Sequence, residues 1–216
     1  MPDKPFQSLY PDYDVLAKWN TPSWNEKTRQ VVAKRLNQVP SREFFDELQY
    51  KTLEAVCDRI IPQPERKQHE KVPIAPWLDA KLKKNQTNGT RYVPLPPQQE
   101  CWRQGLNAIE AEAKLRFKRS FHLLDQAEQD ILLHAIDKGE VEAPNWGKRL
   151  PPQMFFRKVL LSDIVEIYYA HPSAWSEIGF GGPASPRGYL RLATNRRDPW
   201  EAEEHPAEVL KEAALK

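Results

Sequence analysis

Apolar residues recur at three- and four-residue steps along most of this chain, and the strongest such pattern lies between Pro152 and Ala170. One face of this segment carries Phe156, Val159, Leu160, Ile164, Ile167 and Tyr168, and Leu161, Val165 and Tyr169 widen that face. The spacing predicts an α-helix, and the width of the apolar face predicts a helix buried among others. Pro151 and Pro152 suit the start of a helix, and Pro172 is expected to end it.

Five further segments show the same periodicity, and proline-rich stretches separate them. Helices are predicted over residues 24–36, 46–61, 74–84, 97–117 and 125–139. No segment alternates convincingly with period two, so strands are not expected. The predicted fold is therefore mainly α: a single irregular helical domain of about six helices joined by long Pro-rich loops. This domain is predicted over residues 23–197, between an irregular N-terminal arm at 1–22 and a polar C-terminal tail at 198–216.

Several local signals predict where helices and turns begin. Ser23 with Glu26 and Asp125 with Glu128 match the capping-box pattern, and Asp46 is a further N-cap residue. Val31 and Val32 are expected to face inward, and so is the stripe Leu48, Leu53, Val56, Cys57, Ile60 and Ile61. Gly139 is placed where a left-handed C-cap belongs. Asn88–Gly89 is predicted as a turn, and Pro206 as the start of a short terminal helix.

Composition and charge narrow the function classes. The apolar fraction is 40%, somewhat below the usual value of about 45–50%. The 32 basic and 30 acidic residues give a net charge of only +2, which provides no general attraction to nucleic acid or to an anionic membrane. No apolar run approaches the roughly 18 residues that a membrane span requires.

The candidate motifs for chemistry are weak. Gly179-Phe180-Gly181-Gly182 follows a helix and precedes Pro183, so it lacks the strand–turn–helix context of a dinucleotide site and is better interpreted as a turn with positive φ. Asp130 and His134 share a helical face, but the paired Glu-x-x-His motifs of a di-iron bundle are absent. Cys57 and Cys101 have no metal-like spacing and are expected to be reduced thiols, with a single disulfide as the alternative. No catalytic or metal-ligating residue is predicted.

Two stretches carry a resemblance to a known family. TLEAVCDRIIPQPE, from Thr52 to Glu65, and HPSAWSEIGFGGPASPRGY, from His171 to Tyr189, resemble the N- and C-terminal signatures of the gluconate 2-dehydrogenase subunit 3 family. The resemblance covers roughly residues 41–190. It implies a small helical subunit that accompanies an FAD-dependent dehydrogenase of the glucose–methanol–choline class. It also implies that FAD is bound by the large subunit and that any haem belongs to a cytochrome c subunit, so no cofactor is expected in this chain.

The glycine-rich turn is the predicted partner-binding site. The residues assigned to it are Trp175, Ile178, Gly179, Phe180, Gly181 and Gly182. Its aromatic and aliphatic side chains are more apolar than a simple solvent loop requires, and tryptophan is enriched at interfaces. The competing interpretation makes Trp175 a core residue that covers the central helix, which is the helix predicted between Pro152 and Ala170.

The predicted function is that of a non-catalytic small subunit that binds, stabilises and assists the maturation of such a dehydrogenase. The alternative is a stand-alone helical binding or scaffold protein with no redox partner. The first residues, MPDKPFQSLY, lack a basic start followed by an apolar core, although many family members begin with a twin-arginine export signal. A cytoplasmic location is therefore expected, with export to the periplasm alongside a partner as the alternative.

Overall fold

The computed structural model describes residues 8–87, 89, 92–183 and 201–203, and these residues are organised as helices joined by loops. The α-helices are α1 (Glu26–Asn37), α2 (Glu47–Ile60), α3 (Ile74–Lys83), α4 (Gln98–Phe117), α5 (Gln126–Lys138), α6 (Pro152–Met154), α7 (Leu161–Ala170) and α8 (Pro172–Trp175). Within the described ranges there is no β-strand, only an isolated antiparallel bridge between Gly147 and Leu150. The predicted mainly α fold is confirmed.

Two predicted features fall outside the described residues. They are Asn88 of the predicted turn and the terminal helix from Pro206. The predicted limits of the arm, the helical domain and the tail stay predictions.

The described residues form two compact units. The first contains the N-terminal residues up to Gln38 together with the residues from Tyr169 onwards, and the second is Val39–Tyr168. Most of the large, fully buried side chains of the second unit come from α2 to α5 and from the central helix. They include Leu53, Leu78, Trp102, Leu106, Ile109, Leu132, Ile136, Phe155 and Leu160.

The central helix is not a regular α-helix at its start. Between α6 and α7, residues Phe155–Leu160 form a π-helical segment, which the uniform periodicity of the sequence does not reveal. Phe155 and the adjacent Phe156 are both buried, and the ring of Phe155 lies edge-on to Trp102 with centroids 5.8 Å apart. Phe155 also lies directly against Gly105 of α4, where any side chain would overlap the ring. This close approach explains a glycine in the middle of a 20-residue helix.

Buried carboxylates tie loops to helices in the second unit. Asp79 accepts hydrogen bonds from the backbone N–H groups of Glu43, Phe44 and Phe45, at 2.7–3.1 Å. The carboxylate of Glu112 likewise accepts hydrogen bonds from the backbone N–H groups of Glu142 and Ala143. It also forms an ion pair with Arg116 at 2.6 Å. A buried carboxylate is stable only with such donors. These acidic residues therefore position the chain, a role that the apolar periodicity could not predict.

The helix caps of α2 and α5 follow the sequence signals. Asp46 and Asp125 are N-caps with complete capping boxes, and Gly139 ends α5 with φ +79°. The predicted Ser23–Glu26 capping box was wrong, because the N-cap of α1 is Asn25. Its side chain accepts a hydrogen bond from the N–H of Thr28 at 2.8 Å. Asn is as good a cap as Ser, and the later start leaves the preceding Trp24 outside the helix and buried.

Three of the apolar residues assigned to inward or buried faces are exposed, among them Val165 of α7 at 41%. Val32 is buried but its neighbour Val31 is 52% exposed, since adjacent residues of an α-helix point in directions about 100° apart. The buried face of α2 includes Gln49, Leu53 and Val56, which leaves Leu48 exposed at the edge of that face. Pro172 comes just after the end of α7, as expected, but it also occupies the first position of the short helix α8.

Candidate partner-docking turn

The predicted docking turn is built from two short helical pieces in the first unit. His171 is the N-cap of α8, with its Nδ1 accepting the N–H of Ser173 at 3.3 Å. A 3₁₀ segment, Ser176–Ile178, follows and ends at Gly179, which is left-handed with φ +65°. The N–H of Phe180 then donates to the carbonyl oxygen of Trp175 at 2.9 Å. This hydrogen bond folds the chain back over α8.

Trp175 belongs to the core of the first unit. Its residue is only 4% exposed, and it packs in one cluster with Val15, Trp24 and Val32. The indole N–H is also satisfied, because Nε1 donates to the carbonyl oxygen of Tyr169 at 3.0 Å. Of the two interpretations that the sequence left open, burial favours the core residue over the directly contacting anchor.

Ile178 and Phe180 are the apolar side chains that the turn presents to solvent. They are 43% and 38% exposed. The ring of Phe180 stands edge-on to the buried ring of Trp175, with centroids 5.4 Å apart and an interplanar angle of 89°. A buried aromatic residue thus supports an exposed one. If the turn contacts a protein partner, these two side chains are the ones available to do so.

Two glycines of the turn are required by conformation and by space. Gly179 and Gly182 have φ angles of +65° and +71°, and residues other than glycine rarely adopt such positive values. A Cβ atom on Gly179 would come within 2.6 Å of the Tyr10 ring, and one on Gly182 within 2.9 Å of the Trp24 ring. The turn therefore depends on the N-terminal arm as well as on its own sequence.

The backbone of Gly181 accepts a hydrogen bond from a buried lysine of the same arm. The ammonium group of Lys18 donates to the carbonyl oxygen of Gly181 and lies 5.3 Å from the centre of the Trp24 ring. Lys18 is buried, and this desolvation lowers the pKa of its ammonium group, an effect that nearby Glu201 opposes. The pKa of neighbouring Tyr13 is raised by burial and by Asp14. The hydrogen bond and the aromatic ring partly replace the water that Lys18 has lost.

The structure thus groups all six predicted residues in one turn, with Trp175 behind it and Ile178 and Phe180 in front. Sequence reasoning missed the residues of the arm that contact it, namely Ser8, Tyr10, Tyr13, Val15 and Lys18. The available signal was the aromatic content of that arm, which carries Phe6, Tyr10, Tyr13 and Trp19 within residues 1–22. Nothing in the spacing indicated that residues more than 160 positions apart would meet, as Ser8 and Glu177 do.

The other candidate residues have structural surroundings. The carboxylate of Asp130 makes two hydrogen bonds with Arg59, at 2.6 and 2.7 Å, while Nδ1 of exposed His134 lies 2.8 Å from the backbone oxygen of Asp130. Cys57 and Cys101 are both free and buried. Burial raises the pKa of both thiols, that of Cys101 to about 12, which keeps them protonated and unreactive at neutral pH. Among the described residues, no cluster of three or more His, Cys, Asp and Glu side chains could hold a metal ion.

The described residues thus form a helical fold with a preformed, partly apolar turn. The family model for gluconate 2-dehydrogenase subunit 3 matches residues 47–182, so the chain belongs to that family. Membership of this family implies that the chain has a multi-subunit dehydrogenase as its partner. Comparison with curated proteins found no match, and comparison with solved structures found none either. No helix within the described ranges is long and apolar enough to cross a membrane.

Proposed function

We propose that this chain is the non-catalytic small subunit of an FAD-dependent sugar or alcohol dehydrogenase of the glucose–methanol–choline class. It binds and stabilises the large subunit and assists its maturation. FAD is held by the large subunit, and haem, where the complex uses it, is held by a cytochrome c subunit. The complex works in the cytoplasm unless a partner carries the chain to the periplasm.

One observation carries this proposal. The family match ends at Gly182, on the turn where Ile178 and Phe180 expose apolar surface above the buried Trp175. Apolar and aromatic residues form the centre of protein interfaces, which are poor in charged residues there. A turn held in place before binding also loses less conformational entropy when a partner arrives.

The first test is to express the chain with the glucose–methanol–choline flavoprotein encoded in the same genome. We expect the two to co-elute as a stoichiometric complex, with a flavin spectrum and dye-linked dehydrogenase activity that follow the large subunit. The small subunit purified alone should be colourless and inactive. Stoichiometric flavin in that isolated chain, or failure of every such flavoprotein to associate with it, would refute the proposal; the second outcome is what a stand-alone scaffold protein predicts.

The second test locates the contact. Phe180→Ser and Ile178→Ser should each weaken binding of the large subunit by roughly thirtyfold, as loss of an interface hot spot of about 2 kcal/mol does. Val31→Ser is the matched control, because Val31 is an exposed apolar residue of the same unit that lies on α1 instead of the turn. Equal affinities for all three variants would exclude the turn as the docking site.

A further inference from the structure

The second unit contains a cavity of about 380 Å³ between the loop that precedes α4 and the central helix. Residues of both elements line it, among them Tyr92 and Pro97 from the loop and Lys158, Ser162 and Asp163 from the helix. Small-molecule sites are typically concave, with volumes of about 300–1,000 Å³, apolar walls and a few polar groups. The cavity is therefore large enough for a small organic molecule.

The central helix lines this cavity with its π-helical segment. The N–H of Leu161 donates to the carbonyl oxygen of Phe156, five positions back instead of four. Lys158 and Val159 of the segment line the cavity, whereas the next residue, Leu160, is fully buried. Single π-helical turns are rare and frequently lie at functional sites. The irregular turn is thus a feature of the wall that points to a binding site independently of the cavity volume.

The side chain of Lys158 brings an unpaired positive charge to the wall. Its ammonium group lies 5.8 Å from the centre of the Tyr92 ring, and both residues line the cavity. The preceding Arg157 forms an ion pair with Asp137, but Lys158 has no ion-pair partner among the described residues. Contact with an aromatic ring attracts a cation without neutralising it. The ammonium group is therefore available to an anionic ligand.

The carboxylate of Asp163 does not cancel this charge, because it already has partners. It is buried, accepts a hydrogen bond from Nε1 of Trp102 at 2.7 Å and pairs with Lys81 at 3.3 Å. Lys81 also pairs with Glu166, whose half-exposed side chain is screened by solvent. A buried carboxylate with such donors needs none from a ligand. The positive charge left at the cavity is that of Lys158.

We propose that this cavity binds a small organic carboxylate. The carboxylate pairs with the ammonium group of Lys158, and Ser162, four residues further along the helix, offers its hydroxyl as a second donor. The remainder of the molecule packs against Leu95, Pro97 and Val159, which form the apolar part of the wall. A single lysine matches a monoanion in charge. All of these residues belong to the second unit, so the site depends neither on the docking turn nor on the proposed function.

The first experiment titrates the full chain with para-fluorobenzoate and follows its fluorine NMR signal. The matched probe is the neutral para-fluorobenzyl alcohol, which has the same ring and no negative charge. We expect saturable binding of the carboxylate and roughly tenfold weaker binding of the alcohol, because the alcohol cannot pair with an ammonium group. Absence of saturable binding by para-fluorobenzoate, or equal affinity for the two probes, would overturn the proposal.

The second experiment assigns the binding to this cavity. Lys158→Gln should weaken binding of para-fluorobenzoate roughly tenfold. Lys114→Gln is the control, because it removes the same charge from an exposed lysine of α4 that lies outside the cavity, and it should bind like wild type. Ser162→Trp should abolish binding, since the larger side chain fills the cavity.

The melting temperatures of the three variants should match that of the wild type, because Lys114, Lys158 and Ser162 are all exposed. Equal effects of the two lysine substitutions would show that para-fluorobenzoate responds to net charge and not to this site. Full affinity of Ser162→Trp would place the probe elsewhere on the chain. Either result overturns the proposed site and leaves the proposed function untouched.

Discussion

The buried indole of Trp175 stands at 89° to the half-exposed ring of Phe180, with 5.4 Å between the ring centroids. The two aromatic residues lie five positions apart in one turn but have different roles. Trp175 fills the core of the first unit, whereas Phe180 covers Trp175 and faces solvent. A substitution at one position should therefore change stability, and at the other position chiefly binding.

We expect Trp175→Ala to lower the free energy of unfolding by about 3–5 kcal/mol, because it removes a large buried side chain and leaves a cavity. It also removes the donor to the carbonyl oxygen of Tyr169. Phe180→Ala, as the matched control, should lower it by much less. Urea denaturation of both variants measures the difference, and an unchanged midpoint for Trp175→Ala would show that the indole does not support this unit.

The central helix should be equally sensitive on one face only. Leu160→Ala or Ile164→Ala should cost about 2–5 kcal/mol, since both side chains are completely buried and truncation leaves a cavity. Val165→Ala is the control, because Val165 follows Ile164 directly but is exposed. Melting temperatures that fall equally for all three variants would contradict the burial of Leu160 and Ile164.

Asp163 should be among the most sensitive polar positions. Its carboxylate is buried and accepts from Nε1 of Trp102 at 2.7 Å and from the amide of Gln98 at 2.8 Å, and it pairs with Lys81 at 3.3 Å. We expect Asp163→Ala to destabilise the chain by about 3–5 kcal/mol, because these buried donors lose their acceptor. Chemical denaturation measures this change.

Glu166 provides the control for Asp163. It pairs with the same Lys81 at 3.1 Å but is half-exposed. Glu166→Ala should cost about 0–1 kcal/mol, as exposed ion pairs do. If the two variants unfold at the same denaturant concentration, burial is not what makes the Asp163 contacts important.

The two cysteines should be unreactive in the folded protein. Burial is the main cause that raises the pKa of the Cys57 and Cys101 thiols, so the nucleophilic thiolate is scarce at pH 8 and reagents have little access to it. We expect a thiol-specific chromogenic reagent to detect almost no thiol in native protein and both thiols in denaturant. Fast labelling of native protein would contradict the burial of these residues, and no labelling after denaturation would indicate a disulfide.

The sequence by itself determined most of the long helices, because their signals are local. Asp46 and Asp125 are followed three residues later by Gln49 and Glu128, and each pair forms its capping box with hydrogen bonds inside a single turn. Pro152 and Gly139 act through their own φ angles. The family resemblance of the segments at 52–65 and 171–189 was also readable from short strings, and the family match confirms it.

Only the tertiary structure decided which apolar residues are covered. Val31 and Val32 are equally apolar, and the packing around α1 buries one and exposes the other. The same holds in the turn, where Trp175 looked like the natural anchor until the arm residue Val15 and the helix residue Val32 were found packed around it. Contacts such as Ser8 with Glu177 and Lys18 with Gly181 join positions more than 160 residues apart. Burial of a side chain depends on such distant partners, and periodicity within one segment carries no information about them.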